Sequence, residues 1–257
     1  MIFLLAQVIG IAVSGDHVAV AKQDGVALDE KAVTTSVAQI AGVAFSRDGK
    51  LAVFGGKPAK SGEIEFNGWC AAEHKDLINA AAFAADWVAT ASQDKTIQIR
   101  SLDGKLLKTL TGHAAAVVCV AASPDGKVLV SGGADSTIRV WDPSTGELKR
   151  TIANHGDRVN AVAWSPDGKY LASGSRDRTM RVWQPEIGRL VRIVKHDAEV
   201  LDVAWPDAVV TVTASAVQVI ESDSDKVLKE FDAGGRAVAA TARTILVAGE
   251  SVKTLSR

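Results

Sequence analysis

Cysteine, tyrosine, methionine and an excess of either charge are what this chain has least of. Two cysteines in 257 residues exclude a disulfide-stapled scaffold, and no C-x-x-C spacing offers a zinc or redox pair. Lys and Arg total 29 against 30 Asp and Glu, a formal charge of −1. That balance argues against a global nucleic-acid-binding role while leaving room for a local basic patch. No uninterrupted apolar run reaches the ~18 residues that a membrane-spanning helix needs. Catalytic signatures are missing as well: there is no G-x-S-x-G elbow, phosphate-binding G-x-x-x-x-G-K-S/T loop, H-E-x-x-H or G-x-G-x-x-G. What is abundant is Val, Ala, Gly, Asp, Ser and Thr, a mixture of strand and turn formers that predicts many short strands.

The N-terminus could pass for a leader. Ile2 to Val13 is apolar apart from Gln7, and Ala12-Val13-Ser14 has the small residues of a cleavage site. A secretory signal starts with positive charge, however, and the first Lys here is Lys22. The segment is therefore read as structural.

The chain repeats itself. His113 and His155, Ser131 and Ser173, Asp135 and Asp177, and Trp141 and Trp183 are each 42 residues apart. His74 and Asp94 precede His113 and Asp135 by 39 and 41 residues, and His196 follows His155 by 41. Four of the five histidines thus share one period of about forty. Within a unit, Val159 to Trp164 reads as a strand, Ser165-Pro166-Asp167-Gly168 as a turn, and Tyr170 to Ser173, Thr179 to Trp183 and Leu190 to Val194 as three more strands. The same S-x-D-G turn recurs at Ser46 to Gly49 and Ser123 to Gly126, where Asp accepts backbone hydrogen bonds and Gly tolerates positive φ.

Gly112-His113 with Trp141-Asp142, and the run Leu171 to Trp183 (LASGSRDRTMRVW), closely resemble the tryptophan–aspartate (WD) repeat family. Units four and five match almost position for position. Unit three ends in Arg100 where the family has Trp, and unit six keeps His196 and Trp205 without the Asp turn or the third-strand Trp. Units one, two and seven are recognisable only by strand–turn–strand spacing. Seven innermost strands can be counted, beginning near Val8, Ile40, Ile78, Val117, Val159, Val200 and Ala237. The resemblance implies an all-β, seven-bladed β-propeller of four-stranded antiparallel blades, one domain over residues 1–257. Ile2 to Leu5 is expected to close the ring as the outer strand of the last blade, removing its open end.

Histidine, serine and aspartate at fixed spacing might suggest a hydrolase. The family pattern implies instead structural hydrogen-bond chains: His113, Ser131, Asp135 and Trp141; His155, Ser173, Asp177 and Trp183; and His74, Thr90 and Asp94 without a Trp. Repetition favours this reading, because an enzyme needs one site and not three. No catalytic residue, metal site or cofactor is assigned. Glu221 to Asp232 faintly resembles a calcium loop, but Lys226 stands where Gly is required, so a solvated turn is expected. His17 is expected to be exposed in a turn, and Cys70 and Cys119 to be separate, buried and inert.

In WD-repeat proteins the face bearing the loops between outer and innermost strands commonly engages peptides and domains. Here that implies Leu77, Asn79, Ala116, Val118, Arg158, Asn160, Glu199 and Leu201, with Gln93 and Arg176 (and Ala134 between them) projecting from the neighbouring turns. Ala114, Ala115, Ala116 and Val118 make an apolar sector beside Arg158, Arg176 and Arg178, which suits a hydrophobic anchor with a carboxylate or phosphate. The opposing expectation is a solvated rim balanced by Asp157, Asp197 and Glu199. The function implied is a non-catalytic, cytoplasmic protein-interaction scaffold with protein or peptide partners and no nucleic acid or membrane, a monomeric propeller within a larger complex or a longer protein. The rival from another class is a small-molecule hydrolase or lyase in the central channel; the innermost strands offer it Asp202 as their one acidic side chain. Deleting residues 1–6 is expected to open the ring and lower the melting temperature by many degrees; an unchanged melt would refute closure by this segment.

Overall fold

A computed structural model describes residues 8–14, 17–22, 25–224, 226–232, 235–241, 244–248 and 252–256. It is all-β, seven antiparallel sheets whose strands follow one another in sequence order. Six sheets have four strands, and the seventh has three among the described residues. The innermost strands are Val8–Ser14, Ile40–Phe45, Ile78–Phe83, Val117–Ala122, Val159–Trp164, Asp202–Ala204 and Ala237–Ala240. The closing strand expected at Ile2 to Leu5 lies outside the described residues.

Local chemistry accounts for the turns. In the S-x-D-G turns of blades 4 and 5, Ser123 and Ser165 donate to Asp125 and Asp167 at 2.6 Å. Gly126 and Gly168 follow with φ of 73° and 72°, a region costly for any residue with a Cβ.

No single core exists. The buried apolar side chains fall into seven clusters, one in each seam between consecutive blades. Between blades 4 and 5, for example, Val130, Ile138 and Val140 meet Val162, Leu171 and Trp183. The other seams are built likewise. In the last, Ile11 of blade 1 meets Leu246 of blade 7, with Val13, Val18, Val20, Ala237, Ala239 and Val252 around them. Blade 7 thus packs on blade 1, and the ring is closed.

Two departures from the repeat have local explanations. Arg100, at the position of the missing Trp, is buried and donates to Glu73 at 2.6 Å, Gln98 at 2.8 Å and the Gly104 carbonyl at 3.0 Å. Phe54 and Phe66 fill the seam between blades 2 and 3 in its place, with Trp69 and Phe83 packed against them. Cys70 is exposed, contrary to expectation, because it lies on an outermost strand where Trp69 and Ala71 turn toward the seam and it turns away; Cys119 is buried. His17 is exposed as expected but begins a strand, 2.7 Å from Asp29.

At Gly174 a Cβ would lie 2.6 Å from Val200 and 2.8 Å from Val203, both in blade 6. Gly132 stands in the same relation to Val159 of blade 5. The missing side chain is what lets the next blade nest. Gly174→Ala is expected to destabilise the fold by about 1–3 kcal/mol through overpacking, measured by chemical denaturation.

Candidate functional site

On the face bearing the outer-to-inner loops, three blades carry a hydrogen-bonded assembly of one plan, complete in blades 4 and 5 and without the Trp in blade 3. In blade 4, His113 Nδ1 lies 2.9 Å from Asp135 and Nε2 lies 2.8 Å from Ser131 Oγ, to which Trp141 donates at 2.9 Å. In blade 5 the distances are 2.8 Å from His155 to Asp177, 2.7 Å to Ser173, and 2.8 Å from Trp183 to Ser173. Blade 3 brings together His74, Asp94 and Thr90, both distances being 2.9 Å. An indole can only donate and a carboxylate only accept. The serine proton must therefore go to Nε2, and the neutral imidazole must carry its own on Nδ1.

Sequence reasoning missed the threonines. Thr96, Thr137 and Thr179 each donate backbone N–H and hydroxyl to the turn aspartate two residues earlier. The D-x-T spacing, repeated three times, was the signal that could have found them. Burial alone would raise Asp94, Asp135 and Asp177, but hydrogen bonds from imidazole, threonine and backbone N–H outweigh it and hold all three below the ordinary carboxylate range. Burial is also the larger influence on His113 and His155, lowering both against the pull of their aspartates.

Blade 6 has no such assembly. Its third strand ends in Ile220 rather than Trp, and its turn lacks the aspartate. His196 Nε2 and Thr211 Oγ1 are buried without a hydrogen-bond partner.

The loops above these assemblies form a rim with a regular construction. The N–H of Gln93 donates to the Leu77 carbonyl at 2.9 Å, Ala134 to Ala116 at 2.9 Å and Arg176 to Arg158 at 3.0 Å. Each of blades 3, 4 and 5 therefore presents a bonded pair of positions.

Not every expected partner residue is free to serve. Asn79, Val118 and Asn160 occupy one-residue bulges at the start of innermost strands. Asn79 donates to the Val117 carbonyl of blade 4 at 2.8 Å, and Asn160 to the Val200 carbonyl of blade 6 at 2.9 Å. Val118 is only 8% exposed. The two asparagines thus join blades, and Val118 is withdrawn from the surface. Gln93, Arg158 and Arg176 are exposed, and Leu77, Ala116, Glu199 and Leu201 half-buried. Arg176 lies 4.0 Å from Asp157 and 3.9 Å from Glu199, so the solvated-rim expectation describes that arginine.

Elsewhere the molecule offers clefts between blades on the opposite face. One of about 630 Å³ lies between blades 5 and 6, lined by Asp167, Tyr170, Arg192 and Trp205 among others. Another of about 670 Å³ lies between blades 3 and 4, lined by Trp87, Asp125, Asp142 and Lys149. Hydrogen bonds from neighbouring serines hold Asp125, Asp142 and Asp167 below the ordinary range, so these carboxylates stay ionised and are not poised as acids. Among the described residues no group of three His, Cys, Asp or Glu is placed to hold a metal. No described helix is long and apolar enough to cross a membrane.

A profile of the family described as "WD domain, G-beta repeat" matches residues 104–142 and 146–184, the units whose assemblies are complete. These two units are WD repeats, and the chain that holds them is a seven-bladed β-propeller. Over nearly its whole length this propeller is similar to a chain in the crystal structure of a mitotic checkpoint complex, with a TM-score of 0.81 and 21% identity, covering 98% of this chain and 87% of that one. At that identity the likeness is one of fold. In sequence it is 40% identical over 75 residues to "WD repeat and SOCS box-containing protein 1" of Danio rerio, 27% of this chain and 18% of that protein. It is 46% identical over 66 residues to "Nuclear distribution protein PAC1-2" of Uncinocarpus reesii, 26% of this chain and 14% of that protein. The matched stretch is thus less than a fifth of either relative. Fold and repeat family together support a general role in protein interaction.

The titrating groups predict a pH dependence. Unfolded histidines take up protons near pH ~6.5, which folded His113 and His155 resist, so stability falls as pH drops below that value; the depressed aspartates extend the fall below ~4. Asp202 acts oppositely. Burial pushes it up to about 6 although Val203 and Val238 both donate to it, so its protonation favours the folded state as pH falls from 6 toward 4. Asp202→Asn is expected to steepen the fall in melting temperature between pH 6.5 and 4.5, followed by calorimetry at each pH.

Proposed function

We propose that this propeller is a non-catalytic scaffold that presents the rim of blades 3, 4 and 5 to a protein partner. The observation carrying this reading is the set of three bonded pairs, Leu77–Gln93, Ala116–Ala134 and Arg158–Arg176, each standing over a hydrogen-bonded assembly. A surface held this firmly loses little conformational freedom when a partner binds. At its centre Ala114 is exposed and Ala115 and Ala116 are half-buried, a shallow apolar sector that opposes no bulky side chain to a partner. The cytoplasm is the compartment that two unpaired cysteines suit.

The hydrolase or lyase reading finds less support. Asp202 is the one acidic side chain on the described innermost strands, and both its oxygens accept backbone N–H. No second carboxylate on those strands stands beside it to divide acid and base roles.

Capture from a lysate tests the scaffold. Immobilised wild type is compared with Ala115→Arg, which sets a long charged side chain on the apolar sector, and with Lys127→Glu/Lys169→Glu on the opposite face. A partner held by the wild type and the lysine variant, and lost by Ala115→Arg, is the expected outcome. A partner lost with the lysine variant and retained by Ala115→Arg would move the site to the opposite face.

A further inference from the structure

We propose that the segment received by this rim is acidic, with carboxylates at both ends of a short run of small apolar residues. The proposal rests on the rim of blades 3 to 5 being the partner surface and adds the chemistry of the partner.

Charge on the rim has a definite layout. Blade 4 contributes Ala114, Ala115, Ala116, Ala134 and Ser136, and its one acid there, Asp135, is enclosed by His113, Thr137 and the Ala114 N–H. Blade 3 on one side carries Lys75 and Lys95, and blade 5 on the other carries Arg158 and Arg178; all four are exposed. None of the four makes an ion pair among the described residues. Lys95 and Arg178 occupy the same place in their blades, directly after the turn aspartate, with φ of 73° and 64°.

Apart from Asp197, which follows His196 at the blade 6 side of Arg178, the nearby acids are already engaged. Asp94 and Asp177 are held in their assemblies, Asp76 accepts from the Ala59 and Leu77 N–H groups, and Asp157 and Glu199 flank Arg176. Two pairs of cations without counter-charges, on either side of an uncharged strip, therefore fit a ligand of the same layout and opposite sign.

The layout also chooses among anions. A phosphate concentrates its charge at one point and needs converging donors. Cations divided between two blades match separate carboxylates better. A nucleic-acid strand would want continuous positive charge and aromatic rings for stacking, and the rim positions of blades 3 to 5 include neither. The strip of alanine methyls accepts small side chains lying flat.

The test uses fluorescein-labelled peptides bearing a Glu pair at each end and a centre of two to six Ala and Leu residues, read by fluorescence anisotropy. Parallel probes replace Glu with Gln, Glu with Lys, or each Glu pair with one phosphoserine, and a single-stranded oligonucleotide of equal charge is the last. The Glu peptide of at least one spacing is expected to bind and to weaken with added salt, with the Gln peptide at least tenfold weaker. Lys75→Glu/Lys95→Glu and Arg158→Glu/Arg178→Glu are each expected to weaken binding by about tenfold, reckoning two rim charges per flank. The combined variant is expected to bind the Lys peptide, a gain that a merely unfolded protein could not show. Equal binding of Gln and Glu peptides would overturn the proposal, as would dependence on one flank alone or tighter binding of phosphoserine or oligonucleotide. No binding by any peptide, while Ala115→Arg still abolishes lysate capture, would overturn the acidic partner and leave the rim reading standing. Retention of the lysate partner by Ala115→Arg would remove the rim reading itself.

Discussion

A blade cannot cover itself. A thin antiparallel sheet has two faces, and in this ring each face is sheltered only by the blade beside it. The apolar side chains accordingly collect in seams, and blade stability is shared between neighbours rather than owned. Glycine where the next blade presses closest, as at Gly174 against Val200, belongs to the same constraint. So does the meeting of Ile11 with Leu246, since without it two faces would stand open to water.

Polar groups set the blades in register along those seams. At one level of the ring, consecutive innermost strands are joined by side-chain bonds to backbone: Asn79 to Val117, Cys119 to Val159, Asn160 to Val200 and Asp202 to Val238. Burial pushes the Cys119 thiol up to about 12, so the sulfur keeps the proton it donates. Above this level, the histidine assemblies of blades 3 to 5 fix the loops. The rigidity of the loops therefore draws on residues one layer below them.

Much of this could be read from the chain before its structure. The period of about forty located the innermost strands of the histidine-bearing units and strand–turn–strand spacing the others, and the spacing of His113, Ser131, Asp135 and Trp141 named groups that lie within hydrogen-bonding distance. Such features are legible because each is local to one repeat. What escaped depends on the neighbouring blade or on strand facing. Asn79, Val118 and Asn160 were placed at the rim because their loops are there, but each sits in a bulge, where the two asparagines bond the adjoining strand and Val118 is buried. Cys70 was assigned to the interior from residue type, and alternation along its strand turns it outward. Arg100 marked a missing Trp, yet only the assembled seam reveals Phe54 and Phe66 filling the space.

Blade 6 has a consequence for how the ring comes apart. Its neighbour, blade 5, is secured by a complete assembly, whereas the buried atoms His196 Nε2 and Thr211 Oγ1 have no hydrogen bond to break. Opening blade 6 gives water two atoms it can solvate, so breathing there recovers hydration that the closed state forgoes. The propeller is consequently a stiff arc of three blades next to a softer one, and thermal or mechanical stress will find the seam around Val200 and Val203 before it finds blade 4.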